Sequence, residues 1–371
     1  MKLVVITSVL HGLHNKKYYG YAPYVDEINI WSKYAAELIV VAPLTETTIT
    51  AIDRFYDHKN IVFTKVSKFN TIDFFAIVRT LFVLPKNLYL IFRAMHSADH
   101  IHLRCPGNMG LLGCFVQILF PKKNKTAKYA GNWDPRIKKP WSYCLQQKLL
   151  SNTFLTKNMK VLVYGNWKDL SANCHSFFTA TYFEAEKKSF VSKTLDSQIK
   201  FVFAGTLSAG KNPLYAIQLT EELAKQGFNV AISLYGAGSE QEHLEAYILK
   251  NNLCEFVSLK GNQERSVLQL AYQESHFVVL PSVSEGWPKA IAEGMFWGCV
   301  PLATAVSCVP DMLGFGQRGI LLDKNIAIDA SKIALLLRHK EGYNAMQKAA
   351  FSWSQNYTID VFEAEIKKML L

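Results

Sequence analysis

Two carboxylates eight residues apart, Glu285 and Glu293, and one lysine, Lys211, are the side chains in this chain best placed to do chemistry. A carboxylate accepts paired hydrogen bonds from vicinal hydroxyls, so one can hold a ribose and the other a sugar ring. Lys211 lies in Gly205-Thr206-Leu207-Ser208-Ala209-Gly210-Lys211-Asn212-Pro213, a small-residue loop that ends where a helix can start. Loops of this kind offer backbone N–H groups to a phosphate, and the lysine adds a full charge. With Glu285 on a loop and Glu293 in the helix after it, the two are at most about 12 Å apart along the axis. That span fits a diphosphate flanked by two polyhydroxylated rings. Unrelated acids on a solvated helix have the same spacing, so the surrounding elements must decide.

Those elements are favourable. Phe277-Val278-Val279-Leu280 is a short apolar, β-branched run, which predicts a buried strand of a parallel sheet. Pro288 suits a first helical turn, so a helix is expected from there with its unpaired amides at the carboxyl edge of the sheet. Phe201-Val202-Phe203-Ala204 predicts the strand before the Lys211 loop, with helix expected from Pro213. Val230–Tyr235 leads into Gly236 and Gly238, Phe256–Leu259 into Lys260 and Gly261, and Val300–Thr304 and Gly319–Leu322 follow. Helices are expected near 327–338, 342–353 and 359–370.

The first half has the same strand–loop–helix beat. Strands are expected over 2–7, 38–42, 99–103, 126–130 and 161–164, with helices over about 25–36 and 110–120. No G-x-G-x-x-G follows the first strand, which argues against a dinucleotide-dependent oxidoreductase. Instead Tyr18-Tyr19-Gly20-Tyr21-Ala22-Pro23-Tyr24 stands there as an aromatic loop, able to stack on sugar faces or simply to pack. Residues 71–96 space Phe74, Phe75, Ile77, Val78, Leu81, Phe82 and Leu84 ahead of Pro85, which fits one or two core helices. Arg79, Lys86 and Arg93 at intervals also fit a helix lying on a membrane; the core reading is preferred. His102 and Arg104 are expected at the carboxyl edge, facing a cleft. Tyr24, Asn132 and Trp133 complete the residues expected beside an acceptor.

The stretch Ser284–Gly294 resembles the E-x7-E signature of the retaining family 4 glycosyltransferases, above all those that build bacterial surface polysaccharides, and residues 200–325 follow the same order. The resemblance implies an α/β, GT-B fold: two Rossmann-like doubly wound parallel-sheet domains facing a cleft. Residues 1–195 would bind acceptor, residues 196–357 nucleotide sugar, and the helix in 358–371 would cross back to the N-domain. It implies that Glu285 faces the transferred sugar, Glu293 binds the ribose and Lys211 holds the pyrophosphate, with Glu285 and Lys211 as the catalytic pair. Gly205, Thr206, Gly236, Gly238, Lys260, Gly261, Gly286, Trp287, Pro288 and Lys289 would complete the donor site. Thr206 stands where the family has Arg, and Lys289 is the candidate replacement cation. Ala130 stands where the family commonly has His, so no catalytic histidine carries over. The implied mechanism is front-face substitution, in which the leaving phosphate helps to deprotonate the acceptor.

Composition limits the alternatives. A chain of 371 residues, 50% hydrophobic and 19% charged, has room for two globular domains. Seven cysteines without a C-x-x-C pair read as reduced thiols in a cytosolic protein. Met1–Leu10 reads as a first buried strand rather than a signal peptide, and no run of 18 apolar residues predicts a membrane span. No D-x-D occurs, which disfavours a metal-dependent GT-A transferase; no metal and no cofactor are expected, the nucleotide-diphosphate sugar being substrate. The net charge of +11 is uneven: residues 1–200 hold 27 Lys/Arg against 13 Asp/Glu, whereas residues 201–371 hold 14 against 17. A basic first half suits an anionic membrane surface or a polyanionic substrate, and nucleic-acid binding has no supporting motif. The expected partners are a nucleotide-sugar donor and a glycan or lipid-linked acceptor, at the inner face of the plasma membrane. A nucleotide-sugar epimerase or hydrolase of the same fold, and a non-catalytic binding protein, remain the alternatives.

Overall fold

Short β-branched runs separated by amphipathic helices give two parallel α/β sheets in the computed structural model, which describes residues 1–46, 48–69 and 74–370. The side chains of Phe74, Phe75, Ile77, Val78, Arg79 and Leu81 lie outside the described residues. The chain divides into two compact units: unit 1 is Met1–Phe177 with Glu363–Leu371, and unit 2 is Phe178–Phe362.

Unit 1 holds β1 (Lys2–Ile6), β2 (His11–His14), β3 (Lys17–Tyr21), α1 (Ala22–Ser32), β4 (Glu37–Pro43), β5 (Asp53–Phe55) and β6 (Ile61–Val66). It continues through α2 (Phe74–Ser97), β7 (His100–Cys105), α3 (Asn108–Val116), β8 (Asn124–Tyr129), α4 (Trp141–Ser151), β9 (Met159–Tyr164) and β10 (Cys174–Phe177). Its seven-stranded sheet runs β10-β9-β8-β7-β1-β4-β6, a doubly wound order in which the central strands are buried on both faces. β6 and β10 are two strands more than the five the sequence suggested for this sheet. The aromatic loop is in fact a hairpin: β2 and β3 join through Asn15 and Lys16, both at positive φ (48° and 63°), and β5 adds a third antiparallel strand. Two successive left-handed residues give the turn whose twist matches the strands.

Pro85 does not end its helix. α2 continues past it, because Pro85 lies on the exposed side, where water can take up the lost backbone hydrogen bond. Ile91, Ala94 and Met95 on the opposite side are buried in the core of unit 1.

Unit 2 holds β11 (Ile199–Ala204), α5 (Pro213–Lys225), β12 (Val230–Tyr235), α6 (Gln241–Lys250), β13 (Val257–Leu259), α7 (Arg265–Glu274) and β14 (Phe277–Leu280). Then follow α8 (Lys289–Phe296), β15 (Val300–Thr304), α9 (Val309–Met312), β16 (Ile320–Leu322), α10 (Ile326–Arg338) and α11 (Lys340–Ser354). α12 (Ile359–Leu370) begins in unit 2 and ends in unit 1, where Lys33 and Tyr34 bond the Glu363 carboxylate at 2.5 and 3.0 Å. The sheet of unit 2 runs β13-β12-β11-β14-β15-β16. Residues 183–199 lie within unit 2. The Lys193 ammonium ties them down by donating to the carbonyls of Tyr272 and Ser275 at 2.8 and 2.5 Å.

Candidate functional site

The strand order of unit 2 reverses between β11 and β14, which lie side by side although α5, β12, α6, β13 and α7 separate them in the chain. Ligands of doubly wound sheets bind outside the carboxyl ends of the strands at such a switch point. Here the loops after β11 and β14 carry Lys211 and Glu285.

Backbone bonds lace these loops together. The Val283 amide donates to Gly210 O at 2.9 Å, Leu207 N–H to Ala237 O at 3.1 Å, and Gly236 N–H to Gly261 O at 2.8 Å. The glycines make this approach possible. A Cβ on Gly236 would sit 1.9 Å from Gly205 O, and one on Gly238 would sit 2.3 Å from Leu207 O. One step along, α8 packs so closely on β14 that a Cβ on Gly294 would meet the Val278 side chain at 2.6 Å. Pro288 caps α8 rather than opening its first turn, and its carbonyl accepts from Ile291 and Ala292 at 3.0 and 3.2 Å. Lys289 is therefore the first helical residue, at the positive end of the helix dipole.

The side chains follow from this frame. Lys211 Nζ donates to Glu285 Oε1 at 2.6 Å; the carboxylate is 6% exposed and the lysine 30%. Glu293 is held by two hydroxyls that sequence reasoning missed: Thr181 Oγ1 donates to Oε1 at 2.7 Å, and the Tyr272 hydroxyl donates to Oε2 at 3.2 Å. Burial first, and the neighbouring Glu293 charge second, hold the Tyr272 phenol well above its ordinary pKa, so it remains a donor. A carboxylate oxygen has two lone-pair sites, so each oxygen of Glu293 can still accept from a ligand hydroxyl. No short-range signal marks Thr181, 112 residues from its partner.

Around them, Thr206 and Lys260 are exposed, while Gly205, Gly261, Gly286 and Lys289 are partly so. The Gly286 carbonyl accepts from the Ser307 hydroxyl and the Cys308 thiol, both at 3.2 Å. The Trp287 ring joins an aromatic cluster with Trp353 and Tyr357, at centroid separations of 6.2 and 5.4 Å. Its indole is committed to packing. Ser282 Oγ, on the loop after β14, is buried with no hydrogen-bond partner among the described residues.

Unit 1 corrects the acceptor-side expectations. His102 is buried in the sheet: its Nδ1 pairs with the Thr126 hydroxyl at 2.9 Å, its ring lies 4.3 Å from Trp31, and burial lowers its pKa to about 3. It does not face a cleft, because its strand position points under α1. Arg104 points the same way, two residues on, into an ion triad with Glu27 and Lys128: Arg104 Nη1 and Lys128 Nζ reach the carboxylate oxygens at 2.7 and 2.8 Å. Burial favours the neutral form of Glu27, but the two cations outweigh it and hold its pKa below the ordinary value. Tyr24 is buried with its ring under the Arg104 guanidinium, and Trp133 is buried edge-on against Tyr129. Asn132 Oδ1 accepts the Asp134 amide at 2.9 Å, shaping the turn after β8.

Comparisons with known proteins bear on the family and the fold. Residues 184–353 match the family model described as Glycosyl transferases group 1. An uncharacterized glycosyltransferase of Methanocaldococcus jannaschii is 30% identical over 129 residues, 33% of this chain and 36% of the relative. An uncharacterized glycosyltransferase of Haemophilus influenzae is 25% identical over 174 residues, 45% of this chain and 47% of the relative. The chain thus spans between a third and a half of the length of these curated relatives. Among solved structures, Anabaena HepE in complex with UDP is similar over 100% of this chain and 99% of its own, with a TM-score of 0.70 at 14% identity. At that identity the likeness shows the fold, a two-domain α/β fold of the GT-B kind.

Proposed function

We propose that the protein is a retaining, metal-independent glycosyltransferase. It moves a sugar from a nucleoside-diphosphate donor to a glycan, free or lipid-linked, in the assembly of a bacterial surface polysaccharide. The observation that carries this reading is the meeting of Lys211 with Glu285 at the switch point of unit 2, with the clamped Glu293 carboxylate about a turn and a half into the helix that follows. The group 1 match covers the same residues, and a neighbour of the same fold was solved with UDP and with UDP-glucose, which supports a uridine nucleotide as the first donor to try.

In the proposed reaction Glu293 takes the ribose hydroxyls, and Lys211 with the amides of the glycine loops takes the diphosphate. Glu285 orients the sugar. The acceptor oxygen bonds to the anomeric carbon on the face the diphosphate leaves, and a departing phosphate oxygen receives the acceptor proton. The protein contributes position and charge stabilisation, the effects that dominate such transfers. Thr206 supplies no cation, so Lys289 at the α8 N-terminus is the second charge on the diphosphate. The excess of positive charge in residues 1–200 supports a place at the inner membrane face, where lipid-linked acceptors are presented.

Calorimetric titration of UDP and GDP into the wild type and Glu293→Ala tests the donor site. One nucleotide should bind, and the variant should lose about 1.5–3 kcal/mol, the worth of a charged hydrogen bond. Binding of neither nucleotide at millimolar concentration refutes the reading. So does unchanged binding by the variant.

A further inference from the structure

α2 has two faces, and only one belongs to the core. Phe82, Lys86, Tyr89, Arg93 and His96 recur three or four residues apart, and Phe92 is three from Tyr89 and four from His96, which places all six in one stripe along the helix. All six are exposed: Phe82 at 81%, Tyr89 at 62% and Phe92 at 38%, with the three basic side chains between them. Aromatic rings left in water on a helix whose other face packs well call for an explanation.

The surroundings decide the kind of partner. Helix α2 contains no Asp or Glu, and Asp99 is the single acid between residues 74 and 133, where Lys86, Arg93 and Lys122 are exposed cations. At its C-terminal end the stripe meets Phe120, whose ring lies 5.3 Å from Phe92 and 6.4 Å from His96. There Lys123 caps the helix, donating to the Met95, His96 and Ala98 carbonyls at 2.6–2.8 Å. A protein partner would be expected to answer such a face with local acids. A bilayer answers it all along its length: rings settle at the headgroup level while cations meet anionic lipid. The helix has 24 residues, or roughly 36 Å, so it can lie along the surface; no helix among the described residues is long and apolar enough to cross a membrane.

We propose that the exposed stripe of α2 is the surface by which this protein lies on an anionic lipid bilayer. This makes specific the membrane placement in the proposed function, but the binding itself requires no transferase activity. Full-length protein is sedimented at low salt with vesicles of phosphatidylcholine alone and of phosphatidylcholine with about 30% phosphatidylglycerol. The wild type should prefer the anionic vesicles and lose that preference as salt shortens the screening length. Lys86→Glu with Arg93→Glu should weaken binding by at least about tenfold, from about one kcal/mol per basic side chain at such a surface. Phe82→Ser with Tyr89→Ser should weaken it several-fold while keeping the salt dependence. Lys16→Glu with Lys17→Glu, an equal charge change on the β2–β3 hairpin, should leave most of the binding intact. Far-ultraviolet circular dichroism and thermal unfolding confirm that each variant folds. Equal binding to both vesicle types overturns the proposal, as does an equal loss from the hairpin and the α2 reversals. Membrane binding with no transfer activity would instead count against the proposed function alone.

Discussion

Replacing Glu285 by glutamine separates the two jobs assigned to the Lys211–Glu285 pair, because they should change in opposite directions. In the free protein the carboxylate neutralises the lysine at 2.6 Å. A nucleoside diphosphate without its sugar must draw that lysine from a partner it already has. The glutamine side chain keeps the shape and one acceptor but removes the charge, leaving Lys211 free to meet phosphate. With the lysine 30% exposed, the pair is worth only about 1 kcal/mol, so UDP should bind about fivefold more tightly. Transfer should fall, since the carboxylate that orients the sugar is lost; about 1.5–3 kcal/mol corresponds to roughly ten- to hundredfold in rate. Lys211→Ala should weaken UDP by a similar ten- to hundredfold and lower transfer as well. Calorimetry with UDP and a discontinuous assay of sugar transfer read the two quantities separately. If Glu285→Gln weakens UDP as much as Lys211→Ala does, the pair is a scaffold and the division of labour is refuted.

Tyr272→Phe and Thr181→Val each remove a hydroxyl from Glu293, and each should raise the donor KM by a few-fold to tenfold. The selectivity for UDP over 2′-deoxy-UDP should shrink at the same time, a readout that general loosening would not move; unchanged selectivity excludes a ribose role. Gly236→Ala puts a Cβ 1.9 Å from Gly205 O, so the loops must part. It should cost about 1–3 kcal/mol of stability and abolish nucleotide binding, checked by denaturant unfolding and calorimetry; native-like binding would show that the loops can yield. The buried histidines of unit 1 predict acid sensitivity: burial lowers His11 and His100 to about 4 and His102 to about 3, against 6.5 in the unfolded chain. Below pH 6.5 the unfolded state therefore binds more protons than the folded one, so stability is full above that pH and falls as pH drops towards 4. The loss should be on the order of a few kcal/mol, and flat stability by urea titration between about pH 7 and 5 would refute it.

The periodicity of the chain was enough to place the strands of unit 2, the helices α5, α8, α10, α11 and α12, the small-residue loop before α5 and the acidic loop before α8. Hydrophobic spacing and helix-start chemistry act over a few residues and are written locally. Local signals misled where the environment is set from afar. Pro85 looked like a break, yet the helix passes through it because that side faces water. The tyrosines after β1 looked like a loop, yet a left-handed turn at Asn15 and Lys16 folds them into a hairpin. His102 and Arg104 looked like edge residues of a cleft, but their strand parity turns them under α1, where Thr126 and Glu27 are waiting.

The sequence by itself determined which residues sit at strand ends and helix starts, and so which side chains were available for chemistry. Only the tertiary structure decided which of them meet. Lys211 and Glu285 are 74 residues apart and touch because β11 pairs with β14, a neighbour relation set by packing the whole sheet between its helices. The same long-range packing delivers Thr181 and Tyr272 to Glu293 and closes Glu27 between two cations. Hydrophobic patterning is blind to strand order, since any order of equally apolar strands buries the same side chains. The order is settled by crossover handedness, loop length and close contacts such as Gly236 against Gly205, which exist only once the chain is folded.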